Sequence, residues 1–142
     1  MTILRRLLPR REPERRRRLE RAVADVDREL AANLELTAMF DQTHQAVVLE
    51  NAEFARHRAT LEAELREAYA PLADLYARVP ETESAMERRG PANSLREADR
   101  LIIETWEGDL RAAQRALRAA LAAPSPLAAL ATRLLGMLPS RR

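Results

Sequence analysis

The chain contains no cysteine. Disulfide cross-links, thiolate zinc sites and cysteine nucleophiles are therefore excluded, although this does not fix the redox compartment. Lysine is also absent, so all 24 basic residues are arginine. With so much alanine, that usage points to biased coding rather than to a chosen chemistry. Glycine occurs only three times in 142 residues, and no phosphate-binding glycine loop or dinucleotide fingerprint is present. Aromatic residues make up 4% of the chain, so a core has to be built mainly from leucine and alanine. No apolar run approaches the roughly 18 residues of a membrane-spanning helix. No continuous apolar segment follows the basic start, so a secretory signal is not expected.

Alanine, leucine, arginine and glutamate dominate instead, and all four are strong helix formers. The length fits one domain with a modest core, which a homodimer would enlarge. The net charge of +2 conceals a strong asymmetry. Residues 1–18 hold eight arginines (Arg5, Arg6, Arg10, Arg11, Arg15, Arg16, Arg17 and Arg18) against Glu12 and Glu14, about +6. Arg133, Arg141 and Arg142 add about +3 near the C-terminus, which leaves about −7 for residues 19–122. Basic ends thus flank an acidic body.

Apolar periodicity sets out the expected helices. Residues 1–13 read as a basic arm, irregular or briefly helical, punctuated by Pro9 and Pro13. A first long helix is expected over 14–40, with Leu19, Val23, Val26, Leu30 and Leu34 on one stripe that Asn33 and Thr37 continue. The polar stretch Asp41–Gln45 predicts a break before a connector. One helix over 14–78 would span about 100 Å and is disfavoured in a small domain. A second long helix is expected over 51–78, with Asn51 as N-cap, a bend at Pro71 and a stop at Pro80. Residues 79–93 read as a linker onto which Met86 could dock. Ser94 and Glu97 match a capping box that opens a third long helix over 94–122. Ser125-Pro126 matches the start of a short fourth helix over 126–138. The expected fold is all-α: an antiparallel bundle of three long helices with a short fourth C-terminal helix, packed in coiled-coil fashion. Residues 14–142 then form one domain behind the basic arm.

The most distinctive candidate site is that arm. Leu4, Leu7 and Leu8 beside the eight arginines resemble an interfacial segment suited to an anionic membrane or an acidic protein. Nucleic acid is the weaker alternative, because no aromatics interleave with the arginines and no DNA-binding motif is present. Asn33, Thr37 and Asn51 lie on or near the apolar stripes and are candidates for a pocket between helices. They read more simply as residues that set helix register. No metal site is expected. Glu53 and His57 stand four apart and Asp41 and His44 three apart, but neither Glu-x-x-His nor His-Glu-x-x-His occurs. No nucleophile–base pair is apparent and no cofactor is expected. The sequence therefore points to a non-enzymatic helical interaction or scaffold module, cytoplasmic or at the membrane surface. The rival readings are a small-molecule binder or enzyme with an inter-helix pocket, and a nucleic-acid-binding protein.

Overall fold

The computed structural model describes residues 2–123 together with Leu134 and Gly136. The described residues form an all-α bundle built on α1 (Thr2–Thr43), followed by α2 (Ala52–Leu65), α3 (Tyr69–Ala77), α4 (Val79–Glu87) and α5 (Glu97–Ala122). The expected plan of three long helices and a short fourth is corrected by this arrangement. The described chain makes one long N-terminal helix and two bent helical limbs. The first limb runs through α2, α3 and α4, and the second leads from a 3₁₀ turn at Pro91–Asn93 into α5. The expected helix over 126–138 lies outside the described residues, apart from Leu134 and Gly136.

Each departure has a local cause. α1 starts at Thr2 rather than near 14 and passes through Pro9 and Pro13 without a break. Pro13 is exposed, and water can serve the carbonyl that it releases. The bend of the first limb falls at Arg66–Ala68, one turn before Pro71. A proline ring collides with the carbonyl four residues earlier, here that of Glu67, so α2 yields at that point and α3 restarts beyond it. Arg66 takes a left-handed φ of 52° at the bend. Residues 79–87, expected as linker, form α4, because Pro80 stands in the first turn of a new helix instead of ending the old one. The capping box does not form. Ser94 Oγ donates to the Pro91 carbonyl, and Arg96 occupies the N-cap position of α5.

α1 is the spine. Its stripe of Leu19, Ala22, Val23, Val26 and Leu30 is buried and continues through the fully buried Asn33 and Thr37 to Phe40. α2 packs antiparallel along it, as successive contacts of Arg15 with Glu64, Asp25 with His57, and Asn33 with Glu50 show. α5 is also antiparallel to α1, with Trp106 against Thr37 and Arg118 against Asp27. Phe54, Leu61, Leu72, Leu75, Leu110 and Leu117 complete the main core, and Phe54 stacks on Tyr76 with centroids 4.2 Å apart. A smaller cluster of Phe40, Ala85, Met86 and Ile103 attaches α4. Gly108 lies exposed inside α5, and a Cβ there would meet nothing within 4 Å. Gly108→Ala is expected to raise stability by about 0.5–1 kcal/mol, read as a higher urea midpoint at unchanged slope. No gain would mean that α5 is distorted at that turn.

α1 outruns its partners. The last turn of α2 reaches Arg15, and Arg16 donates to the carbonyl of Leu121 in the last turn of α5. Residues 2–14 therefore run past the ends of both helices, over about 20 Å at 1.5 Å per residue.

Candidate functional site

The overhanging end of α1 carries the basic segment singled out in the sequence. In the sequence, Ile3, Leu4, Leu7 and Leu8 recur at the spacing of one helical face. Arg5, Arg6 and Arg10 are interspersed with these residues in the sequence. The remaining arginines divide by role. Arg15 is held by Glu64 at 3.0 Å, and Arg16 pairs with Glu20 at 3.2 Å while satisfying a C-terminal carbonyl of α5. Those two pin the end of the bundle. Arg11, Arg17 and Arg18 are exposed and make no ion pair among the described residues.

Asn33 and Thr37 are fully buried and engaged in hydrogen bonds. Asn33 Nδ2 donates to the Glu50 carbonyl at 2.9 Å, and the Glu50 N–H donates to Asn33 Oδ1 at 2.7 Å. One side chain thus fastens the extended connector that follows α1. Thr37 Oγ1 donates to the Asn33 carbonyl at 2.8 Å and accepts the Trp106 indole N–H at 3.2 Å. Asn51 stands apart from them, exposed at the rim of a shallow depression beside Phe54, Arg58 and Tyr76. It occupies the N-cap position of α2 but makes no side-chain cap bond. Glu29 of α1 caps that helix instead. It is 3% exposed, and its carboxylate accepts the N–H groups of Glu53 at 2.7 Å and Phe54 at 3.1 Å. The nearby Tyr76 hydroxyl is buried without a hydrogen-bond partner. Burial, followed by the Glu29 charge, pushes its ionisation far above the ordinary range.

Two further features were not anticipated. A cleft of about 390 Å³ opens between α3 and α5, lined by Ala68, Leu72, Leu75, Ala113 and Leu117, with the Arg78–Asp109 ion pair at 2.7 Å on its rim. Its lining includes Asp74 and Asp109 but no histidine, serine or threonine. The second is a cluster of Asp25, Glu53 and His57 between α1 and α2. His57 Nε2 donates to Asp25 Oδ2 at 2.7 Å and lies 3.8 Å from Glu53 Oε2. That hydrogen bond holds the Asp25 carboxyl below the usual carboxylate range.

Comparison with protein-family models, curated proteins and solved structures found no match. Among the described residues no helix is long and apolar enough to cross a membrane, and no nucleophile–base constellation of a recognisable catalytic pattern is assembled. Spacing in the sequence finds the Glu53–His57 pair, but Asp25 and Glu29 read there as ordinary acids of an exposed helix face. Only the pairing of α1 with α2 brings them to their partners.

Proposed function

We propose that this chain is a non-enzymatic helical module that docks on an anionic membrane surface through the N-terminal end of α1. The observation that carries this reading is the unbroken helix from Thr2, which extends about four turns past the ends of α2 and α5. Continuity matters because helical spacing in the sequence gathers Ile3, Leu4, Leu7 and Leu8 toward one face, with arginines interspersed among them. A helix with that pattern lies in the plane of an interface, its apolar face at the acyl boundary and its cations among anionic headgroups. The acidic body then faces away from the surface, which favours one orientation. The same body, at about −7, argues against a continuous nucleic-acid face.

Co-sedimentation with phosphatidylserine-containing vesicles tests the reading. The full chain is expected to bind at low salt and to release as salt is raised. Combined replacement of Arg5, Arg6, Arg10 and Arg11 by glutamate reverses the charge of the segment, and circular dichroism checks that the variant stays helical. At about 1 kcal/mol for each arginine near the surface, it should weaken binding by at least a hundredfold. Equal binding by the variant, or no binding by the full chain, removes the proposal. Binding to soluble polyanions without binding to vesicles would replace the membrane with another acidic partner.

A further inference from the structure

We propose that Asp25, Glu53 and His57 form a binding site for a divalent transition metal of the zinc class, which fastens α1 to α2. The inference stands apart from membrane docking, since the cluster lies within the bundle and uses none of the arginines of residues 1–18.

The donor set is assembled from two helices. Glu53 and His57 are one turn apart on α2 and share a face, and Asp25 of α1 meets them across the helix pair. One donor atom from each lies within 4.8 Å of the others. A tetrahedral ion with bonds of about 2.0 Å separates its ligands by about 3.3 Å. The contact of His57 with Asp25 at 2.7 Å and its contact with Glu53 at 3.8 Å lie on either side of that spacing. Both His57 contacts lie within about 0.6 Å of that spacing, and the two carboxylate oxygens, within 4.8 Å of each other, close in by at most about 1.5 Å. One imidazole and two carboxylates form the nitrogen–oxygen set that suits zinc and its neighbours better than calcium or magnesium. The fourth position is left for water.

A second observation separates this cluster from an ordinary ion pair. Glu53 Oε2 is shielded from solvent without a hydrogen-bond partner, while the Glu53 side chain as a whole is 30% exposed. The other oxygen of each carboxylate is already engaged, Asp25 Oδ1 by Arg28 at 2.7 Å and Glu53 Oε1 by Arg56 at 3.1 Å. Those bonds orient the two inner oxygens toward His57 Nε2, as outer partners of metal ligands do. The charges around the site are Arg28 and Glu29 on α1 and Arg56 on α2. Both guanidinium groups are mostly exposed, at 76% and 64%, so water screens their opposition to a cation. Glu29 offsets part of the remainder. On binding, the ion takes the place of the proton between His57 Nε2 and Asp25, and that proton is released to solvent.

Isothermal titration of zinc chloride into the full chain near pH 7.5 tests the site, with cobalt absorption as an independent report of tetrahedral geometry. One equivalent is expected to bind, and melting should shift upward by several degrees at saturating zinc. His57→Ala and Asp25→Asn should each weaken binding at least tenfold and abolish the shift, while His44→Ala should change neither. Circular dichroism of the variants separates lost ligation from lost folding, and Asp25→Asn keeps the side-chain volume. No binding by the full chain, or binding that survives His57→Ala, overturns the proposal.

Discussion

Replacing Trp106 by alanine should cost about 3–5 kcal/mol of unfolding free energy, the range for removing a large aromatic from a packed core. Trp106 is 1% exposed and fills the space where α5 crosses the second half of α1. Its indole N–H is also the only side-chain hydrogen bond between buried groups of those two helices among the described residues. The stripe of α1 is polar there, at Asn33 and Thr37, so fewer apolar neighbours can collapse into the space left behind. Trp106→Phe keeps most of the volume and loses the hydrogen bond, and should cost about 1–2 kcal/mol. Urea unfolding followed by far-ultraviolet circular dichroism measures both, because the variants lack the tryptophan needed for fluorescence. A Trp106→Ala loss below about 1 kcal/mol would mean that α5 is not held by this residue.

The second large effect is expected at Glu29. Glu29→Ala should destabilise by about 2–4 kcal/mol, since the part-buried Glu53 N–H and the buried Phe54 N–H lose a charged acceptor together. The loss goes beyond that of an ordinary surface cap, because the replaced carboxylate is supplied by another helix and also holds the two helices in register. Glu29→Gln keeps one acceptor oxygen and should fall between. Equilibrium unfolding gives the magnitude, and amide exchange at Glu53 and Phe54 gives the location. Faster exchange spread evenly over the whole chain, with no excess at those two amides, would contradict the capping role.

The residues behind these two predictions differ in how far the sequence announces them. Trp106 lies on a clear apolar stripe with Leu110 and Leu117, and helical periodicity is enough to place it inward. The stripe from Leu19 to Thr37 and the break after Thr43 are legible for the same reason, because each depends on neighbours within two turns. Glu29 is not legible. It stands between Arg28 and Leu30 as any solvated acid would, and its partners are 24 and 25 residues away. Asp25 is hidden in the same way. The failures at Pro80 and Ser94 have a different origin. Proline marks either the end of one helix or the first turn of the next, and the buried faces of Val79, Thr82 and Met86 decide between them. Ser94 satisfies the pattern of a capping box, but left-handed conformations at Ala92 and Asn93 turn the chain so that its hydroxyl closes the preceding loop. Continuity of α1 through Pro9 and Pro13 likewise departs from local propensity.

The position of α1 between its two partners also sets how the molecule opens. α2 and α5 each pack chiefly on α1, whereas α4 is attached through α5 and a small cluster around Met86. Amides in the middle of α1 can be exposed only when both long interfaces separate, so they should exchange with solvent at the rate of complete unfolding. Those of α4 can exchange through a local opening that leaves α1, α2 and α5 assembled. Hydrogen exchange should therefore resolve two cooperative units within one small bundle, with the slower one organised around α1.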